Sequence, residues 1–222
     1  MAKGIVLASG SVHRRELLKN AGVDFTVRPC DLDERAIEAP LLGSGATAED
    51  VAAVLAEAKA TDVSKDHPNE IVIGADQTLA LGDRVFHKPA NMEEARRTLL
   101  ALSGRTHTLN SAVVLVEKGE VTWRQVAVAR ITLRGLEPGF VGRYLASVGA
   151  RALTSVGAYQ IDREGVQLME AIEGHYFTII GLPILPLLKE LRARGEIDGG
   201  PQRRRDTRAI CQRRRKDPRQ GL

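Results

Sequence analysis

A chain of 222 residues, 43% of them hydrophobic, is long enough to bury one sizeable core. It has no apolar run of roughly 18 residues and no charged start leading into a hydrophobic stretch, so neither a membrane span nor a secretory signal is indicated and a cytoplasmic globular protein is expected. The formal charge of +4 is unevenly placed: after Gly200 nine Lys or Arg face two Asp, a surplus of 7, which leaves about −3 on the residues before them.

That split organises the chain. Residues 1–197 read as a single domain. Residues 198–222, including PQRRRDTRAICQRRRKDPRQGL, have few apolar residues and no helical stripe, and read as a basic disordered tail that would hold nucleic acid only weakly, through phosphate contacts. Cys30 and Cys211 are too far apart to suggest a disulfide framework or a metal cluster.

In chain order, residues 4–8 (GIVLA) predict a short buried strand. Ser9-Gly10-Ser11 then opens a helix that carries His13, Arg14 and Arg15, turns Leu17, Leu18 and Ala21 to the core and stops at Gly22. Unpaired N–H groups at a small-residue helix start, beside cations, are the ingredients of a phosphate cradle. The same Ser-Gly-Ser also serves as a plain N-cap. Thr47 with Asp50 makes a capping box before Val51, Val54, Leu55 and Ala58, which predicts a helix over 48–63 with Lys59 beside its buried stripe.

The stretch IVIGADQT runs a β-branched strand, 71–76, into Asp76, whose charge is costly to bury without a partner. Carboxylates at the carboxyl ends of strands commonly serve α/β active sites, and a capping aspartate is the alternative. TLAL and RVFH flank Gly82-Asp83, a hairpin signal that would return His87 and Lys88 towards Asp76. Asn91 and Glu94 cap a helix through Leu99 and Leu100 that Ser103-Gly104 ends. Residues 106–117 and 121–134, joined by KGE, predict a long antiparallel hairpin. A short helix at 140–147, a strand at 156–161, a helical stretch at 167–172 and a closing helix at 183–194, with Leu185, Leu188 and Leu191 on one face, complete the pattern. Hairpins and helical crossovers together give an α/β class with a mixed sheet. His107 and His175 lack the spacing of metal ligands and read as structural.

Taken in order, LASGSVHRRELLKNAG, DLDE, AEAKA, GADQT, KP, LSGRTHT, GAYQID and IEGHYFTIIGLPI resemble the Maf family of nucleoside triphosphate pyrophosphatases, over about residues 4–195. The resemblance implies a two-lobed α/β fold, an elongated mixed sheet flanked by helices with a central cleft, similar to the inosine triphosphate pyrophosphatases. It implies hydrolysis of a nucleoside triphosphate to the monophosphate and pyrophosphate, house-cleaning of non-standard nucleotides, a divalent metal (Mg²⁺ or Mn²⁺) and a homodimer. By motif, Asp76 matches the proton acceptor and Glu34 an acidic position near the metal, so that Asp76 and Glu34 would hold it. Lys88 would assist catalysis, Ser9, Ser11, Arg14 and Lys59 would hold the triphosphate, and Gln160 with Asp162 would read the base.

Such chemistry needs an oriented water and cations around developing negative charge more than a covalent nucleophile, and this residue set supplies that. Two departures stand out. Val12-His13 replaces the family's Pro-Arg, losing a rigid proline and one permanent cation. Asp162 stands where many members have glutamine, and Ser155 where lysine is common. An acid accepts from donor-bearing purine edges, which argues away from thymine or uracil. The alternative class is a nucleotide-binding regulator of cell division without turnover. Asp76 would discriminate, because a mere binder gains nothing from an unpaired carboxylate beside a polyphosphate.

Overall fold

The computed structural model describes residues 3–198. The expected basic tail, apart from its first residue, lies outside them, and so does Cys211.

Strands β1 (Ile5–Leu7) and β3 (Ile71–Leu81) pair in parallel, and the short β2 (Thr26–Val27) runs parallel on the far side of β1. Strands β5 (Thr106–Glu117), β6 (Glu120–Leu133) and β7 (Met169–Glu173) follow antiparallel to one another beyond β3, and β4 (Arg84–Phe86) folds back on the end of β3. The sheet order is β2-β1-β3-β5-β6-β7. The β5–β6 loop is Lys118-Gly119, both at positive φ (53° and 81°), the type I′ geometry whose twist suits a two-residue hairpin.

Among the described residues, seven α-helices clothe this sheet: α1 (Val12–Asn20), α2 (Glu34–Gly43), α3 (Ala48–Ser64), α4 (Met92–Leu102), α5 (Pro138–Val148), α6 (Tyr176–Ile180) and α7 (Ile184–Ala193). Two lobes result, because β3 and β5 are long enough to serve both. In the first lobe α1 and α7 cover one face, with Leu18, Leu187 and Leu191 against Leu7, Ile71 and Ile73. Helix α3 covers the other, with Ala52, Ala56 and Ala60 against Val6, Val72 and Val114. The second lobe packs α4 and α5 on the far ends of β3, β5 and β6, around Leu79, Leu99, Leu109, Ile131 and Tyr144.

Several expected details are corrected. Strand β3 does not stop at Asp76; it continues to Leu81. Only its parallel pairing stops, at the Leu7–Ile73 pair, after which it pairs with β4 and β5 alone. The buried stripe of α3 is Val51, Ala52, Leu55, Ala56, Lys59, Ala60 and Val63, while Val54 is exposed: the helix turns its alanines to the sheet because they permit the closest approach. Gly74 shows how close, since a Cβ there would stand 2.1 Å from the carbonyl oxygen of Ala56. In α7 the buried residues are Ile184, Leu187 and Leu191, with Leu185 exposed, and in α1 Ala21 is exposed at the C-cap. Residues 156–161 form no strand, and 169–173 form β7 where a helix was expected. The available β6 edge is taken by β7, so long-range pairing overrides local pattern at both places.

Candidate active site

Asp76 is the sixth residue of β3, and strand alternation puts Val72, Gly74, Asp76 and Thr78 on the α3 face. Helix α3 lies on that face, its start held by the Thr47–Asp50 capping box and by Thr78 Oγ1, which donates to Ala48 O at 2.7 Å. Lys59 therefore arrives over Asp76. Its Nζ donates to Asp76 Oδ1 at 2.5 Å and lies 2.6 Å from Glu34 Oε1. Lys59 and Asp76 side chains are only 10% and 9% exposed, so neither charge would be tolerated there without the other. Glu34 is presented by α2, whose N-cap is the preceding Asp33, accepting from Ala36 N.

Arg14 rises from α1 into the same region and is heavily committed. Its Nε donates to Gly181 O at 2.9 Å, and Nη1 donates to Ala75 O at 2.8 Å and Ser9 Oγ at 3.1 Å. It thereby staples α1 to β3 and to the turn after α6, leaving Nη2 as the group able to meet an anion. Burial lowers the guanidinium's pKa, and Asp76 and Glu34 oppose that shift. Ser11 is the N-cap of α1, accepting from Arg14 N, so the plain capping reading of the Ser-Gly-Ser start holds for it.

These groups line a cavity of about 310 Å³ between the lobes. It brings together Ser11, Arg14, Glu34, Lys59, Asp76, Lys88, Gln160 and Asp162, the expected set except Ser9. Ser9 is buried behind Arg14. Lys88 follows β4, and its ammonium pKa is lowered first by burial and then by Arg14. The far wall comes from an irregular segment around Ser155, Tyr159, Gln160 and Asp162.

Sequence reasoning missed three contributors. Glu38, on α2 one turn beyond Glu34, is buried; its Oε2 lies 3.6 Å from His87 Nδ1 and its Oε1 has no hydrogen-bond partner among the described residues. The i, i+4 spacing of Glu34 and Glu38 was the available signal, on a helix that the sequence reading did not predict. Gln77, next to Asp76 on the opposite face, donates to Ser111 Oγ and to the carbonyls of Thr178 and Ile179, tying α6 to the sheet. Tyr159 is buried, with its phenol 2.7 Å from His107 Nε2. Burial pushes the phenol up and holds the imidazole down at about 4. His107 is buried on β5, and no cluster of three or more metal-ligating side chains occurs among the described residues.

The arrangement suits a polyanion. A carboxylate pair sits at one point, with Lys59, Lys88 and Arg14 around it, in a cleft partly shielded from water. Cations in such a place stabilise phosphate charge more than they would in bulk solvent.

Residues 4–194 match the family described as Maf-like protein. A 7-methyl-GTP pyrophosphatase of Mesorhizobium japonicum is 65% identical over 199 residues, covering 90% of this chain and all of the relative. Its counterpart from Brucella abortus is 59% identical over the same span. A nucleoside triphosphate pyrophosphatase of Rhodopseudomonas palustris is 50% identical over 190 residues, 85% of this chain and 93% of that one. No described helix is long and apolar enough to cross a membrane.

Proposed function

The chain belongs to the Maf family, and from that premise we propose that it hydrolyses a 7-methylated guanosine triphosphate to the monophosphate and pyrophosphate, removing a modified nucleotide. The enzyme class, a nucleoside triphosphate pyrophosphatase, is that of its relatives. The observation that carries the site assignment is the convergence of Asp76 and Glu34 on one point of the cavity wall, ringed by Lys59, Arg14 and Lys88.

Asp76 Oδ1 is held by Lys59, and no hydrogen bond engages Oδ2 among the described residues. In this reading Oδ2 accepts the proton of a water that attacks the α-phosphorus. A new P–O bond forms as the bridging α–β oxygen leaves with pyrophosphate. Lys88 and Arg14 Nη2 meet the negative charge gathering on the departing group, and Lys59 keeps the Asp76 carboxylate aimed. Asp162 and Gln160 lie on the opposite wall, where an acid accepts from the N–H edge of a guanine.

The residues fit a divalent metal. Two carboxylate oxygens within 2.6 Å of a single ammonium are close enough to share one cation, and hard oxygens completed by substrate phosphates are the habit of Mg²⁺ and Mn²⁺. Asp76 and Glu34 would hold it, and when bound it supplies charge neutralisation and polarisation of the phosphates.

The test is pyrophosphate release by the purified protein with Mg²⁺ or Mn²⁺ over a panel of ordinary and modified nucleoside triphosphates. Metal-dependent release fastest on 7-methyl-GTP is expected. Release fastest on a pyrimidine triphosphate would overturn the base assignment, and binding of all nucleotides without release would overturn the enzyme.

A further inference from the structure

The wall that faces Asp76 is an anomaly of construction. From 154 to 162 it contributes eight cavity-lining residues, yet beyond its first residue it has no helix or strand to hold it. Its local backbone bonds are few, Ala158 N to Ser155 O and Arg163 N to Gln160 O. Ala158 sits at φ 58°, a left-handed conformation that alanine does not choose unaided. The segment must be fastened from outside.

Side chains do the fastening. The Tyr159 ring is buried in the core of the second lobe, and Ser155 Oγ donates to Tyr159 O at 2.6 Å. The Tyr144 hydroxyl donates to Ala158 O at 3.4 Å. Gly165 passes so near the backbone of Gln160 that a Cβ would stand 2.4 Å from its carbonyl oxygen. A buried tether is the hydrogen bond between the Tyr159 hydroxyl and Nε2 of His107, near the start of β5. His107 is 1% exposed, and its Nδ1 has no partner among the described residues. A polar pair so placed gains little for stability over an apolar pair of similar shape. What it adds is direction: a hydrogen bond fixes how deep the ring sits and how it is turned.

We propose that His107 is a positioning residue for base selection. Through Tyr159 it sets the depth of the wall, and so the distance from the reacting centre at which Gln160 and Asp162 meet a purine base. This rests on the pyrophosphatase reading above. His107 touches no substrate, so its effect falls on base recognition rather than on the bond-breaking step.

Three variants test it: His107→Leu, the pair His107→Leu with Tyr159→Phe, and the conservative His107→Gln. Each is followed by thermal midpoint and by kcat and KM on 7-methyl-GTP, GTP and UTP. His107→Leu is expected to raise KM for 7-methyl-GTP about tenfold, the loss expected of one hydrogen bond, and to narrow purine-over-pyrimidine selectivity by a similar factor. Its kcat stays within about twofold, since a hydrogen bond that only positions the base is made equally in the ground and transition states. The double variant, which leaves no phenol unpaired, recovers the thermal midpoint but not KM. His107→Gln, which keeps a partner for the phenol, recovers both. A merely structural role would lower the midpoint and leave KM and selectivity alone, and that result overturns the proposal. Recovery of KM by the double variant, or kcat falling in step with kcat/KM, does so as well. If His107→Leu fails to fold, the double variant and His107→Gln decide the matter between them. A wild-type protein that turns over none of the nucleotides would fail the pyrophosphatase reading itself, a distinguishable outcome.

Discussion

The two walls of the cavity are built by different means. Asp76, Lys59 and Glu34 stand on β3, α3 and α2, whose backbones are fixed by ladders of hydrogen bonds, and the three side chains meet within 2.6 Å. Gln160 and Asp162 stand on an irregular segment moored by Tyr159, Ser155 and Tyr144. Reacting groups need placement to a fraction of an ångström, which regular elements provide best. A wall moored by a handful of side chains can be re-aimed by changing one mooring. On the proposed reading, the division would let selectivity change while the reacting centre keeps its geometry.

Four changes would break or sharpen this contrast. The largest effect is expected at the rigid wall: Asp76→Asn keeps the shape, removes the proposed proton acceptor, and should lower kcat for pyrophosphate release on the order of a thousandfold with nucleotide binding retained. If kcat survives, the reacting centre lies elsewhere.

The next falls on the moored wall and depends on pH. Burial holds His107 at about 4 against 6.5 for the free side chain. Between those values the unfolded chain takes up a proton that the folded chain refuses. The contribution is therefore nil above about pH 6.5, and stability is lost as pH falls towards 4, by about 3 kcal/mol from this residue. Denaturant midpoints measured from pH 7 to 4.5 should fall less steeply in His107→Gln.

Gly74→Ala probes the rigid wall through its backbone. The added methyl meets the Ala56 carbonyl and the Ala60 side chain, so α3 must lift and carry Lys59 off Asp76. A stability loss of about 2 kcal/mol is expected, with a fall in kcat and little change in base preference. A shift in base preference without a change in kcat would show that the two walls are coupled. The smallest effect is expected for Thr47→Ala, which removes one half of the capping box at the start of α3, three turns from Lys59. It should cost about 1 kcal/mol in chemical denaturation and leave base preference as it was.

Much of this contrast follows the legibility of the chain. The rigid wall could be read because its signals are local: a capping box, a helical period and a β-branched run that reaches Asp76. Even there, the stripe of α3 was misjudged at Val54, because the decision belonged to Gly74 on another element, which admits alanines closer than valine. The moored wall could not be read. Residues 156–161 were expected to form a strand, but the edge of β6 that a strand would need is occupied by β7, later in the chain. The pairing of His107 with Tyr159 spans 52 residues and leaves no periodic trace.

By itself the sequence determined the class of fold, the hairpins, the capped helices and the acid and basic residues available for phosphate chemistry, since each depends on neighbours within a few positions. Only the tertiary structure decided that β3 runs on past Asp76, that Lys59 closes on two carboxylates, that Arg14 is spent largely on holding α1 in place, and that a buried histidine moors the opposite wall. Those are contacts between distant segments, and which of several chemically suitable partners meet is settled by packing, which local pattern does not encode.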